Sequence, residues 1–329
     1  MKLLITGGAG FIGSHFIYHE LETHPEDDVV CFDALTYAGN LASLAAAREY
    51  PRYRFIHGDI CDAACVNRVF REERPDAVVH FAAETHIDRS IAAPGIFLHT
   101  NAVGTQVLLD ACRRLDVKRF HLISTDEVYG ELPLDHPADP FIEESPLRAS
   151  NPYAVSKASA DLLVQAYDRT YQLPVSITRA SNNYGPFQHP EKLIPLTILR
   201  ALANERIPVY GNGENVRGWL FVRDHCEAID RVVRRGVPGS IYNVCGHDAC
   251  TNIDVVRAIL SELGKPEALI EYMPARPGYG GRHAVDSSHI KADLAWSPTV
   301  SFEQGLTRTV RWYKDHEDWW QAAYVRMSR

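Results

Sequence analysis

A short apolar run, Leu3-Leu4-Ile5-Thr6, leads straight into Gly7-Gly8-Ala9-Gly10-Phe11-Ile12-Gly13. Gly7, Gly10 and Gly13 fit GxxGxxG, a spacing variant of the turn that joins the first strand to the first helix of a dinucleotide-binding sheet. Without side chains, the backbone can approach a pyrophosphate, whose charge meets N–H groups at a helix N-terminus. Asp33 closes a second apolar run 20 residues beyond Gly13. A carboxylate there accepts hydrogen bonds from ribose hydroxyls and repels a 2′-phosphate, favouring NAD over NADP. Asp59, in Gly58-Asp59-Ile60, is placed to accept from the adenine amino group. The bland alternative is a structural glycine turn with two surface aspartates.

The rest of the first half repeats this alternation. Runs at 3–6, 29–33, 54–57, 77–80 and 120–124 read as buried strands, and 12–22, 63–72, 97–115 and 153–171 as helices. The expected fold class is α/β, a doubly wound parallel sheet of the Rossmann type. A strand at 175–179 extends it. After Ser181 the prolines 186, 190, 195 and 208 and the Gly211-Asn212-Gly213 turn cut the chain into short pieces. Segments 219–235 and 241–244 are candidates to return to the sheet. The expected division is a nucleotide domain of 1–180 with returning segments at about 217–253, and a smaller discontinuous C-terminal lobe of 181–216 and 254–329.

With 329 residues, 46% of them hydrophobic, the chain has material for a large core. A net charge of −8 argues against a nucleic-acid partner. The seven cysteines form no CxxC pair; the nearest spacings, Cys61/Cys65 and Cys245/Cys250, read as reduced thiols of a cytoplasmic protein rather than a zinc site. Fifteen histidines include no HExxH, so no metal is expected, and most read as surface or packing residues. The run at 3–5 is too short for a signal peptide, and no stretch reaches transmembrane length.

Two further motifs carry chemistry. Ser124-Thr125-Asp126-Glu127-Val128-Tyr129-Gly130 ends the strand expected at 120–124, and Tyr153-Ala154-Val155-Ser156-Lys157 opens the helix expected at 153–171. Tyr153 and Lys157 are four apart and share a helix face. An unperturbed phenol has a pKa of roughly 10 and is a poor base near neutrality without a cation beside it. Lys157 offers that charge and can hold a nicotinamide ribose. Asp126 and Glu127 stand where open α/β sheets bind ligands, and two carboxyls in one pocket can be driven to different protonation states. Alcohol oxidation needs only Tyr153 and Lys157; the carboxyls imply further proton transfers, as in an elimination. Asn182-Asn183 can hold a sugar and a nicotinamide carboxamide, or simply cap a turn. Lys192, Arg217 and Arg276 are candidate diphosphate or nucleotide contacts, although each alone is an ordinary surface charge.

The chain resembles the extended short-chain dehydrogenase/reductase superfamily, and within it the dTDP-glucose 4,6-dehydratase family. The likeness runs through TGGAGFIGSH, FDALTYAGNL, GDICD, HFAAETHIDRSI, STDEVYG, NPYAVSKASADLL, SNNYGPFQHPEKLIPL and FEQGLTRTVRWY. The resemblance implies that NAD takes hydride from the sugar C4 while Tyr153 takes the O4 proton. It implies that Glu127 then removes the C5 proton, Asp126 protonates the departing O6, and hydride returns to C6. Thr125 would hydrogen-bond the sugar. The cofactor contacts so implied are Phe11 and Ile12 at the pyrophosphate, Asp33 and Thr36 at the ribose, Asp59 and Ile60 at adenine, and Asn183 at nicotinamide. Ala82, Thr85 and Thr100 would line the cofactor or sugar site. Asn182, Lys192, Leu193, Pro208, Tyr210, Arg217 and Asn252 would face a nucleotide-diphosphate sugar, with dTDP-glucose favoured.

The chain departs from the family pattern at three places, all outside the catalytic and NAD motifs. Gly218 stands where an acidic residue is usual, Ala275 where Asp is frequent, and Arg276-Pro277-Gly278-Tyr279-Gly280 replaces RPGHD, leaving Tyr279 with Arg276 as the substrate contacts there. A UDP-sugar or other nucleotide-sugar dehydratase is therefore a competing expectation. A 4-epimerase of the same superfamily is another, although it has no use for Asp126 and Glu127. A catalytically silent NAD-sensing protein is a third, opposed by the retained Tyr153 and Lys157. The resemblance also implies a homodimer, paired through the helices at 97–115 and 153–171.

Overall fold

Leu3, Leu4 and Ile5 are all fully buried, which marks a strand covered on both faces, as in the interior of a parallel sheet. The computed structural model describes residues 1–134, 139–275 and 281–327. Its strands are β1 (Lys2–Thr6), β2 (Asp28–Asp33), β3 (Tyr53–His57), β4 (Ala77–His80), β5 (Arg119–Thr125), β6 (Val175–Ala180), β7 (Asn182–Tyr184), β8 (Ile207–Tyr210), β9 (Val216–Phe221), β10 (Ile241–Val244), β11 (Asp248–Thr251) and β12 (Ile270–Met273). Seven of them form one sheet in the order β3-β2-β1-β4-β5-β6-β10, every pair parallel. The order reverses beside β1, so a crevice opens at the carboxyl ends of β1 and β4.

Each face of the sheet has its own core. Leu4, Val30, Phe32, Val78 and Leu122 pack on one side with Val66, Phe70, Leu108, Leu109 and Val164 from the covering helices. Leu3, Ile5, Val29, Cys31 and Val79 pack on the other with Phe16, Ile17, Val222 and Ile229. Burying each such side chain contributes about 1.5–3 kcal/mol, which fixes the strand ends that carry the site.

The region expected as one helix at 97–115 is instead three pieces. A short helix Pro94–Phe97 passes into a π-helical stretch Leu98–Gly104 and then a regular helix Thr105–Arg114. The buried Asn101 explains the widened turn. Its amide donates to the Glu84 carbonyl at 3.0 Å and Ser156 Oγ at 2.8 Å, and accepts from the Glu84 N–H at 2.8 Å. Those bonds tie the helix to the loop after β4 and to the helix Pro152–Tyr171. π turns of this kind gather at functional sites.

The second lobe has a small sheet, with β9 between β7 (parallel) and β11 (antiparallel), and a parallel pair β8–β12. Within 219–235, residues 219–221 therefore belong to the small sheet, and only the helix Val222–Arg235 returns to the nucleotide domain, against the helix Phe11–Thr23. Tyr184, Trp219, Phe221, Leu306, Val310 and Tyr313 fill the lobe's core.

A buried ion pair locks the helix Pro152–Tyr171 to the sheet. Arg179 on β6 makes two 2.9 Å bonds to Asp161, which also accepts from Ser124 Oγ at 3.1 Å. Arg179 further donates to the Tyr129 hydroxyl at 2.7 Å. Asn151 caps this helix by accepting from the Ala154 N–H at 2.8 Å, and Pro152 occupies its first turn.

Candidate active site

The glycine turn has the shape that the spacing predicts. Gly7 has φ +70°, and a Cβ there would lie 2.5 Å from the Ala82 nitrogen. A Cβ on Gly13 would lie 2.4 Å from the Gly7 carbonyl oxygen. These contacts exclude larger residues and keep the loop tight against the helix that follows. Asp33, at the end of β2, accepts from the Ala9 N–H at 2.9 Å and the Leu35 N–H at 2.7 Å. It therefore pins the glycine turn to the loop after β2.

These elements open into a cavity of about 340 Å³ in the crevice. Gly7, Gly10, Phe11, Ile12, Gly13, Asp33, Thr36, Asp59 and Ile60 line its β1–β3 end. Ala82, Thr85 and Thr100 line it beyond β4, and Thr125, Glu127, Tyr153, Lys157, Asn182, Asn183 and Lys192 line the rest. The cavity thus gathers residues from the glycine turn, both chemical motifs and the first turn of the second lobe. Lys192 donates to the Thr85 carbonyl at 3.0 Å, closing the cavity wall between the two lobes.

Lys157 is buried and donates from Nζ to the Ile123 carbonyl at 2.6 Å. Burial lowers its pKa to about 8, opposed by the charge of Asp161. Tyr153 is 9% exposed; burial first, then Glu127 and Asp126, raise its pKa, while the Thr125 side chain acts the other way. The phenol is therefore a proton holder until positive charge is brought beside it.

Thr125 ends β5 and caps the tight turn Asp126–Tyr129, accepting from the Glu127 N–H at 3.2 Å. The turn separates the carboxyls. Glu127 reaches the cavity and accepts from Asn151 Nδ2 at 3.2 Å. Asp126 is 2% exposed and stands behind the wall; its Oδ1 accepts from Thr125 Oγ1 at 3.3 Å, and its Oδ2 meets no donor among the described residues. Burial raises its pKa to about 6, with Glu127 acting in the same sense and His283 and Arg217 opposing.

Other positions expected from the sequence are not among the residues that line the cavity. Leu193 begins the helix Leu193–Ala203, Pro208 and Tyr210 lie on β8, and Asn252 begins the helix Asn252–Leu263. Arg217 is buried on β9 and donates to the carbonyls of Val216 and Gly281 at 2.8 and 3.1 Å. Arg276 and Tyr279 fall outside the described residues. The structure adds wall residues that the motifs do not flag: Glu84, Ser181, Gln188, His189, Glu191 and His225. Glu191 accepts from the Tyr37 hydroxyl at 3.1 Å, with the Arg89 guanidinium 3.7 Å over the Tyr37 ring.

Among the described residues, one group of possible metal-ligating atoms comes together, from His19, Glu20 and Asp230, none of which lines the cavity. Arg234 already bridges Glu20, Asp27 and Asp230 there.

A family profile described as GDP-mannose 4,6 dehydratase matches residues 4–309. The dTDP-glucose 4,6-dehydratase of Escherichia coli is 49% identical over 98% of this chain and 96% of its own length. That of Neisseria meningitidis serogroup B is 50% identical over 97% and 95%. Among solved structures, DesIV, the dTDP-glucose 4,6-dehydratase of Streptomyces venezuelae crystallised with NAD, superposes with a TM-score of 0.94 at 46% identity, covering 98% of this chain and all (100%) of the other. UDP-glucose 4-epimerase of Thermotoga maritima superposes at 0.88 with 29% identity, covering 96% and 99%. Its fold is shared, but its sequence stands well apart from the dehydratases. The chain belongs to the nucleotide-sugar dehydratase family that the profile describes, and within it to the dTDP-glucose 4,6-dehydratases.

Proposed function

We infer that this chain is an NAD-dependent hydro-lyase that converts dTDP-glucose to dTDP-4-keto-6-deoxyglucose and water. The observation that carries this reading is the convergence on one cavity of a dinucleotide turn, a Tyr153/Lys157 pair and the Thr125–Glu127 turn. NAD held in the crevice supplies the acceptor for the C4 hydride and the donor for its return to C6.

The residues divide the proton work. Tyr153 takes the O4 proton as the 4-ketone forms, with Lys157 favouring the phenolate. The ketone acidifies the C5 proton, which Glu127 is placed to take because it reaches the cavity. The C6–O bond then breaks, and Asp126, whose burial keeps it protonated to higher pH than a free carboxyl, supplies the proton with which O6 leaves as water; because Asp126 stands behind the wall, the proton passes through the Thr125 hydroxyl, which lies 3.3 Å from Asp126 Oδ1 and lines the cavity. Glu127 returns a proton to C5. Tyr153 ends one proton richer and Asp126 one poorer, so exchange with solvent resets both. The sugar site takes Thr85, Thr125, Asn182 and Lys192 from the cavity, and Leu193, Pro208, Tyr210, Arg217, Asn252, Arg276 and Tyr279 from the second lobe.

In this reading 1–180, with the helix Val222–Arg235 and β10 from the returning segments expected at about 217–253, bind NAD, and 181–216 with 254–329, joined by β9 and β11, bind the nucleotide-sugar. A homodimer is proposed on the helices Pro94–Phe97 to Thr105–Arg114 and Pro152–Tyr171. They expose Ile96, Leu98, Val103, Val155 and Leu162 at 42–56%, more apolar surface than scattered single residues account for. All seven cysteines are free, and no helix among the described residues is long and apolar enough to cross a membrane, both in keeping with a cytoplasmic enzyme.

Mass spectrometry of the purified protein with dTDP-glucose or UDP-glucose in deuterated water tests the reading. Loss of one water, deuterium at C5 and no net NADH are expected, faster with dTDP-glucose. A faster UDP-glucose reaction would move the assignment to a UDP-sugar dehydratase. Unchanged mass with inversion at C4 would make the enzyme an epimerase.

A further inference from the structure

The helices Phe11–Thr23 and Val222–Arg235 pack against each other. At the C-terminal end of the first, His19, Glu20 and His24 meet Asp230 and Arg234 of the second. Glu20 is fully buried, and Arg234 takes only its Oε2, together with Asp230 Oδ1 and Asp27.

Three buried atoms of this cluster have no hydrogen-bond partner among the described residues: Glu20 Oε1, His19 Nε2 and His24 Nε2. His19 Nε2 stands 3.7 Å from Asp230 Oδ2, beyond hydrogen-bond length. His24 Nε2 stands 3.2 Å from Asp230 Oδ1 without the alignment of a bond. A proton shared by Glu20 and Asp230 would satisfy the carboxyl and leave both rings as they are. A cation bound by all four side chains satisfies every one of these atoms. The charge balance points the same way. Arg234 and the Met1 amine face Glu20, Asp27 and Asp230, so carboxylates outnumber fixed cations by one, and the carbonyl end of the helix Phe11–Thr23 adds partial negative charge.

The spacing suits a small ion. A ring nitrogen of His19 and one carboxylate oxygen each of Glu20 and Asp230 lie within 4.8 Å of one another. Some point therefore lies within about 2.8 Å of all three, and zinc bonds to such atoms are about 2.0–2.2 Å long, so side-chain rotations of less than about 1 Å close the site. Two imidazole nitrogens beside carboxylate oxygens select a transition ion over Mg²⁺ or Ca²⁺, which take oxygen ligands. The His19 and His24 side chains are 21% and 20% exposed and Asp230 13%, so the rings over the carboxylates border solvent and an ion can enter between them. No sequence spacing marks the site, because its ligands come from helices far apart in the chain.

We propose that His19, His24, Glu20 and Asp230 bind one divalent transition ion of the zinc class. The ion staples the helix Val222–Arg235 to the helix that the glycine turn opens, bracing that turn from the far end of its helix.

The test uses the untagged full chain, stripped with a chelator, dialysed, and titrated with Co²⁺ as a visible probe and then with Zn²⁺. Wild type is expected to take one equivalent of Co²⁺ with d–d absorption and no thiolate band, displaced by one equivalent of Zn²⁺ and not by excess Mg²⁺. Saturating Zn²⁺ is expected to raise its melting temperature by about 3–6 °C. The double variant His19→Gln, His24→Gln should lose that equivalent and the shift, weakening binding by more than the roughly 10–100-fold that a lost supporting partner costs. His316→Gln, an exposed histidine elsewhere, should keep both. If the double variant does not fold, His24→Gln alone, just beyond the helix, is expected to weaken Co²⁺ binding about tenfold. Less than one equivalent in wild type would overturn the proposal, leaving an ion-pair cluster with both rings protonated. Uptake undiminished in the histidine variants, or a thiolate band that places the ion on cysteines, would overturn it as well.

Discussion

Asp126 and Glu127 are adjacent in the chain and opposed in environment: the turn after β5 sends Glu127 into the cavity and leaves Asp126 2% exposed, with one carboxylate oxygen unmatched by any donor among the described residues. An elimination needs an acid and a base at once, and in the proposed assignment this separation supplies both from one turn. Asp126→Asn is expected to lower kcat by about 10²–10⁴ and Glu127→Gln by a similar factor, by different routes. Glu127→Gln should also abolish deuterium incorporation at C5, read by mass spectrometry of the recovered sugar.

The same burial makes Asp126 a cost to folding. Its pKa is raised to about 6 in the folded chain, so between about pH 4 and 6 the folded state keeps a proton that the unfolded state loses. Its contribution to stability is full below pH 4 and is lost as the pH rises through 6. Asp126→Asn is expected to match wild type in thermal melts at pH 4 and to melt about 2–6 °C higher at pH 7.5. An equal gap at both pH values would contradict this.

In the proposed assignment, Lys157 sets the alkaline limit of the oxidation step. Its pKa is lowered to about 8 by burial, so its positive charge fades above that pH and support for the Tyr153 phenolate fades with it. The profile of kcat/KM in the free enzyme is expected to fall near pH 8. Lys157→Met should lower kcat/KM by about 10²–10⁴ and remove that limb from the residual activity.

Asp33 spends its carboxylate on two backbone N–H groups as well as on any ribose. Asp33→Ser removes the charge that repels a 2′-phosphate and loosens the glycine turn. NAD affinity is expected to fall roughly 10- to 100-fold, as for a lost charge-assisted bond, while the ratio of NADP to NAD binding rises. Binding titrations with both nucleotides give the two numbers.

What was legible in the sequence had a local cause. Gly7, Gly13 and Asp33 could be placed because turn chemistry and strand spacing act over a few residues. The Tyr153/Lys157 face could be placed because helix periodicity fixes it. The break in the helix expected at 97–115 could not, because it depends on Asn101 finding Glu84 and Ser156, partners 17 and 55 residues away. His225 sits in an ordinary amphipathic helix, and only the packing of that helix beside β7 turns it toward the cavity. Asp126 was readable as half of a pair but not as the hidden half. Leu193, Pro208, Tyr210 and Asn252 depend on how the second lobe closes, and the structure sets them outside the cavity wall.

The Arg179–Asp161 pair joins β6 to the catalytic helix, and both side chains are at most 2% exposed. Removing one charge strands the other in a medium that solvates it poorly. Asp161→Asn is expected to cost about 3–5 kcal/mol in urea unfolding, and a paired Arg179→Met, Asp161→Leu replacement to recover much of that. The paired variant should still lose activity, because Asp161 also supports the charge of Lys157.

The proposed dimer rests on apolar side chains that helices facing solvent do not ordinarily carry. Leu162 is 56% exposed and Val155 44%, on the same helix that carries Tyr153 and Lys157 on its buried side. Pairing with a second copy would cover Leu162 and Val155 together with Leu98 and Val103, and would hold the catalytic helix from outside while β5 and β6 hold it from within. Leu162→Glu places a charge where the partner's apolar surface would lie, at a cost of several kcal/mol per interface because the residue and its symmetry mate are both changed. Sedimentation velocity is expected to give a dimer for wild type and a monomer for the variant. The monomer should retain NAD binding, since none of the cavity wall comes from that surface, and should lose part of kcat as the helix loosens. A wild type that sediments as a monomer would remove the dimer and leave the catalytic assignment untouched.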